Sequence, residues 1–472
     1  MTGRRIHRRM VGGGGAVGLA LVALLVLQGQ AISDVQSQVQ ASIDATVAIA
    51  DDGEDDVTYA KHVAPILQEK CQICHQPNSV APMSLLTYDD AFLFAANIKQ
   101  KVIERVMPPW HINRSVGIQK FKNDRSLSQE QIDTIVQWVD GGAPLGDTAD
   151  MPPPAEFPDP TAWRLSDRFG EPDLIVASDP YTVAADGQDK WWRSTAETGL
   201  TDARWVRAIE MKPSFPGGRK VVHHAIARLQ QDEDGVTGLA NGFDVDDDIG
   251  PGTFMEWAVG KEGEIFPENA GKLMLPGAEI NWDIHYHAVG EEVADDVVEL
   301  GVYFYDTEYV PKYRTILHAM RAHQGGIDIA PGEIGMSQGF TRLKGPARLE
   351  NFQPHMHMRG KAMSMEAILP DGSRRMLSNV GNFRWNWHIN YIYDEEVAPL
   401  LPGGTMIVVT AWHDNSTANR ENPDPRQWVG NGSRTVDEMA HAWVDVTYLD
   451  QDEYDQMVAA REVARKATDN ND

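Results

Sequence analysis

The only two cysteines of this 472-residue chain stand in Cys71-Gln72-Ile73-Cys74-His75. One helical turn between the thiols lets both reach the two vinyl groups of a porphyrin, while the adjacent His75 presents an imidazole to the iron; C-x-x-C-H is the pattern of covalent haem attachment. A disulfide or a redox dithiol is the competing use of the same pair. Three histidine groupings lie further on: His223-His224, His285-Tyr286-His287 and His355-Met356-His357. On a strand, His355 and His357 face the same way and can chelate one ion. Adjacent His223 and His224 face opposite ways on a regular strand, so joint ligation needs a bulge, a twist or a strand end.

The segment around the cysteines, residues 57–147, has the size and content of a small cytochrome c domain. Helical patterns run through Val63, Ile66 and Leu67 before the cysteines and through Ile132, Ile135, Val136 and Trp138 after them. Met107, in Arg105-Val106-Met107-Pro108-Pro109-Trp110, resembles the thioether loop that supplies the sixth iron ligand in such domains, and Met83, in Ala81-Pro82-Met83, is the competing candidate.

The histidine region resembles the copper type II, ascorbate-dependent monooxygenases, the family of peptidylglycine alpha-hydroxylating and dopamine beta-monooxygenases. Val222-His223-His224 is similar to that family's paired-histidine motif and Ile284-His285-Tyr286-His287 to its H-Y motif. His355-Met356-His357-Met358-Arg359-Gly360-Lys361 resembles its H-x-H-x-x-G-K motif, and Thr435-Val436-Asp437-Glu438-Met439 its D-E-M stretch. The four occur in the family's order. The resemblance implies two copper ions, one on His223, His224 and His285 and a second, catalytic one on His355, His357 and Met439. It implies two β-sandwich domains whose coppers face each other across a solvent-filled cleft. The implied reaction is hydroxylation of a substrate C–H bond with dioxygen, three imidazoles suiting an electron-transfer site and a thioether favouring Cu(I). The animal enzymes carry disulfides in this region, whereas this chain has no cysteine there; the fused haem segment is a second departure, and would replace or relay for ascorbate. His287 is an alternative or supporting group for His285, Arg359 and Lys361 read as solvated or supporting groups, and His388, His413 and His441 match no ligand motif. Phe383, Trp385 and Trp387 alternate like one face of a strand.

The elements that must position these residues follow from texture. Residues 1–31 combine Arg4, Arg5, Arg8 and Arg9 with an apolar run from about Ala16 to Leu27, a secretion-signal pattern with cleavage near Ala31 and an uncleaved anchor as the alternative; the run is short for a membrane span, so a periplasmic or secreted protein with no stable membrane span is expected. An acidic spacer closes residues 32–56, and prolines from Pro152 to Pro160 mark a linker over 148–171. From 172 to 449, short β-rich runs between Gly, Pro, Asp and Asn turns suggest two β-sandwiches, divided near Tyr313 into 172–313 and 314–449; residues 450–472 form a helical tail. The expected fold is therefore multidomain, a small all-α cytochrome c domain followed by two all-β, jelly-roll-like copper domains. A net charge of -27 repels phosphate backbones and argues against nucleic acid as a partner. The expected partners are a small-molecule or peptide substrate, dioxygen and an external electron donor. The rival reading is a non-catalytic electron-transfer or copper-handling protein.

Overall fold

Short helices open the described part of the chain, each with a local reason to start. Thr87 caps Tyr88–Leu93 in a reciprocal box with Asp90, and Ser128 caps Gln129–Asp140 in the same way with Gln131. Ile132, Ile135 and Trp138 share the buried face of the latter helix, and Tyr59 packs between Trp138 and Tyr88. The computed structural model describes residues 56–77, 79–159, 161–236, 252–259, 261 and 263–469; the expected signal segment 1–31 and nearly all of the spacer 32–56 lie outside them.

The expectation of a separate all-α domain followed by two independent sandwiches is corrected. Strand makes up 35% of the structure against 17% helix, and the chain from Thr58 onward forms one compact unit. Between Met107 and Ser128 the haem-motif segment leaves its helices. Ile112 makes a bridge to Val380 and Phe121 one to Tyr393, while Trp110 packs edge-on against Tyr391 at 4.7 Å. Pro108 and Pro109 prevent helix from continuing there. The apolar side chains beyond them have no helical face to share, and Trp110 and Ile112 are buried in the core of the β region instead. The proline-rich stretch is likewise pinned at both ends: Gln68 donates to the Pro153 carbonyl, and the backbone N–H groups of Arg164 and Leu165 donate to buried Glu210.

Two cores organise the strands. In the first, the sheet containing Val298–Phe304 and Arg204–Pro213 lies against the sheet Lys190–Trp192, Glu279–Tyr286, Val222–Gln230 and Thr253–Ala258, with Val206, Met211, Ala225, Trp282 and Leu300 between them. In the second, Tyr313–Arg321 and Ala440–Tyr448 lie against Ile334–Arg342, Met406–Asp414, Gly360–Ile368 and Arg374–Val380, around Met320, Met365, Val409 and Val444. The expected boundary at Tyr313 falls where the halves join: Tyr313–Arg321 pairs in parallel with Ala270–Met274, which makes one continuous 11-stranded sheet.

The strand Ala440–Tyr448 is buried along its whole length. Ala442, Val444, Val446 and Tyr448 enter the second core, so the alternating positions His441, Trp443, Asp445 and Thr447 face the other way. Trp443 meets Ile226 of the first half, and Asp445 meets Lys272 at 3.2 Å in a buried ionic group with Glu264, Lys261 and Glu256. Burial, with Glu264 nearby, pushes the Asp445 carboxyl up to about 6. The C-terminal helix Gln451–Asp469 matches the expected tail; Tyr454, Met457 and Val458 pack near Tyr313 and Leu449.

Candidate metal centre

His223 and His224 open the strand Val222–Gln230 directly after a short helical turn, Gly218–Val221. In the ladder with Glu279–Tyr286, His285 opposes His224 but Tyr286 opposes Val222, so His223 is the extra residue of a β-bulge. The bulge releases the two neighbours from strict alternation. One donor atom each of His223, His224 and His285 then lies within 4.8 Å of the others. His285 Nδ1 is 3.2 Å from His224 Nε2, close to the separation of two nitrogens that both sit ~2 Å from one ion. The other nitrogen of His285, Nε2, meets Asp189 Oδ2 at 3.1 Å, and Thr435 donates to the same carboxylate. This histidine network holds the Asp189 carboxyl far below the usual carboxylate range. Trp191 lies flat on His285, 4.8 Å between centroids and 3° from parallel. His287, expected as an alternative, is exposed and donates to Asp189 Oδ1 at 2.8 Å.

His355 is the penultimate residue of the strand Asn351–Met356, opposite His441. The strand stops at Met356, so His357 stands just beyond it, its ring centroid 5.4 Å from that of His355. The His357 backbone N–H and that of Arg359 donate to Glu438, a fully buried carboxylate. Met439 is half-buried and lines, with His355, His224 and His441, a cavity of about 260 Å³ between the halves. The structure thus places His355, His357 and Met439 in one neighbourhood. Arg359, expected as a solvated or supporting group, is buried and bonded to Asn415 and the Val436 carbonyl. Residues 383–388 form a turn rather than a strand, with Phe383 buried and Trp385 and Trp387 against the second core.

The two histidine groups are not separated by a cleft. The ring centroids of His224 and His355 are 5.4 Å apart, because Ile226, Leu317 and Trp443 close the halves on each other. His388, His441 and Glu256, which no motif marked, complete the cluster. His388 lies 4.5 Å from His355 by ring centroid, and His441 stacks on His355 at 4.5 Å. His441 follows Met439 by two residues at the start of the strand Ala440–Tyr448, a nearness that is visible in the sequence; Glu256 and His388 leave no such signal.

This concentration of buried, unpartnered donors fits metal ligation. His223 Nδ1, His224 Nδ1, His355 Nδ1, His357 Nε2, His388 Nε2 and His441 Nε2 all lack a hydrogen-bond partner, each an expensive state in a protein interior. Burial first, then neighbouring imidazoles, lowers His223 and His441 to about 3 and pushes His224, His355 and His388 well below the ordinary value. All therefore keep a lone pair at neutral pH.

A second cavity, of about 890 Å³, is lined by Cys71, Cys74, His75, Met83 and Met107 on one side and by Trp385 on the other. Its size falls in the range of ~300–1,000 Å³ common for small-molecule and cofactor sites. The cysteines form no disulfide, and burial beside Cys74 pushes the Cys71 thiol up to about 12. His75 Nδ1 lies 3.2 Å from the Met83 carbonyl, an arrangement that leaves Nε2 for an iron. These residues fit a covalently held haem.

No family model matches the chain, and no curated protein matches it. Among solved structures, the major capsid protein P2 of Bacteriophage PM2 is similar over 58% of this chain and 96% of its own, at 12% identity and a TM-score of 0.27. The infectious bursal disease virus VP2 subviral particle aligns over 62% and 74% at 12% identity and a TM-score of 0.18. A Paenibacillus xanthan lyase aligns over 63% and 28% at 8% identity and a TM-score of 0.17. Likenesses this distant carry no argument about fold or function.

Proposed function

We propose that the chain is an exported copper-dependent monooxygenase that hydroxylates a C–H bond of a small-molecule or peptide substrate with dioxygen, and that a c-type haem on the same chain takes in electrons from an external donor. The observation that carries this reading is the convergence of His223, His224 and His285, 61 residues apart at the closing pair, into one group of donors. Four motifs in the order of the copper monooxygenases support it. His223, His224 and His285 would hold one copper, and His355, His357 and Met439 the catalytic one. Bound copper supplies one-electron redox chemistry with dioxygen.

The chain's own residues prepare that chemistry. Asp189 keeps the proton on His285 Nε2 and so leaves Nδ1 free to ligate. Trp191 covers the His285 ring, and burial keeps His223, His224, His355 and His388 neutral. Glu438 fixes the backbone of His357 and Arg359 and is itself next to Met439, so one carboxylate orders both ends of the second ligand set. Cys71, Cys74 and His75 would hold the haem, with Met107 as sixth ligand. Met83 is less suited, because its carbonyl is already engaged with His75 on that residue's side.

Protein matured in a host able to attach c-type haem is expected to carry two type 2 coppers and one covalent haem. Oxygen consumption coupled to hydroxylation should be abolished by Met439→Ala or His357→Ala. A second reading, a non-catalytic electron-transfer or copper-handling protein, is favoured by the closeness of the two histidine groups and the small cavity beside them. Reversible copper uptake with no coupled oxygen consumption would establish it.

A further inference from the structure

We infer that Glu256, His355 and His388 form a binding site for a divalent first-row metal ion, a ligand set that none of the sequence motifs contains. The inference stands on geometry and does not depend on the monooxygenase reading. One donor atom from each residue lies within 4.8 Å of the other two. All three side chains are buried, at 1%, 4% and 3% exposure. Glu256 Oε1, His355 Nδ1 and His388 Nε2 each lack a hydrogen-bond partner. A merely structural cluster of this composition would pair these atoms with one another, and it does not.

Each ligand is held from behind, as metal ligands commonly are. The second oxygen of Glu256, Oε2, accepts from Gln353 Nε2 at 2.6 Å. His388 takes a hydrogen bond with the Met356 backbone. His355 is fixed by its stack on His441. Two neutral imidazoles and a carboxylate make a borderline-to-hard set that suits Zn²⁺, Fe²⁺ or Cu²⁺, whereas a set containing a thioether favours Cu(I). Glu256 comes from the first half, on Thr253–Ala258, and His355 and His388 come from the second. An ion bound here therefore ties the halves together across the interface where Ile226 meets Trp443. His355 belongs to both this set and the one with His357 and Met439, so the two compete for it.

The test is Zn²⁺ binding to the full metal-free chain, read by metal analysis, chelator competition and zinc K-edge absorption. Wild type is expected to bind two ions with nitrogen and oxygen donors only. His388→Gln and Glu256→Gln should each lose one ion, or weaken it more than about 100-fold, since loss of an outer partner alone costs ~10–100-fold. Met439→Leu should keep both, and His285→Gln should lose only the other ion. Retention of both ions with unchanged affinity in folded His388→Gln overturns the proposal, and so does sulfur scattering at the edge or loss of the second ion in Met439→Leu. Should Glu256→Gln fail to fold, His388→Gln decides. Zinc binding as expected with no hydroxylation at all would remove the proposed function and leave this site standing.

Discussion

Asp189 acts on the first ligand group through His285, holding the ring's far nitrogen while the near one faces His224. Asp189→Asn should leave the fold intact and weaken copper binding at that group ~10–100-fold, measured by chelator competition. His318 offers a test of burial away from the metal cluster: it is buried with only Tyr448 Oη near Nε2, and desolvation lowers it to about 4. Its ordinary value is 6.5, so the unfolded chain takes up this proton first as pH falls. The stabilising contribution is complete above pH 6.5 and is lost progressively toward pH 4, amounting to about 2 kcal/mol at pH 5. His318→Gln should show a correspondingly smaller loss of stability between pH 7 and pH 5 in denaturant titrations. At this scale the sequence revealed what lay in motifs or close repeats. His223, His224 and His285 could be placed together, whereas Glu256 and His388 are single residues whose role depends on contacts that no local pattern encodes.

Among the elements, the loop carrying Asp437, Glu438 and Met439 depends most on one side chain. Glu438 accepts from the backbones of His357 and Arg359 and lies 3.9 Å from the buried Arg359 guanidinium and 3.4 Å from His413. Glu438→Ala leaves a buried arginine without its carboxylate and should destabilise the protein by about 3–5 kcal/mol, seen as a lower denaturation midpoint at unchanged slope. Strand periodicity foretold that paired His223 and His224 need an irregularity, and the bulge supplies it. The same periodicity misled at Phe383, Trp385 and Trp387, where alternation over so short a run also fits a turn. At His357 the strand has already ended at Met356, yet its ring still lies 5.4 Å from that of His355.

For the molecule as a whole, the joint between the halves is both apolar and ionic. Lys272 sits between Glu264 and Asp445, all three buried. Lys272→Met should cost about 3–5 kcal/mol by leaving Asp445 buried without its cation and Glu264 with Lys261 alone; combined with Asp445→Asn it should cost less than the sum of the two changes, measured as a double-mutant cycle. The β-rich texture of the long C-terminal region was legible from its runs and turns, but the independence of the parts was not. Hydrophobic periodicity is local, and it cannot show that Ile112 pairs with Val380 or that Ala270 and Tyr313 share a ladder.

The bridge from Ile112 to Val380 also sets a clock. The two residues are 268 positions apart, and chains are made at ~5–20 residues per second. The partner of Ile112 thus emerges roughly 13–54 seconds later, and through that interval Trp110, Ile112 and Phe121 wait without their final neighbours. The thiols of Cys71 and Cys74 are open to outside chemistry during the same interval, before the far wall of their cavity, which includes Trp385, has been made. Any enzyme that must reach those sulfurs has its easiest access in the first minute of the chain's existence.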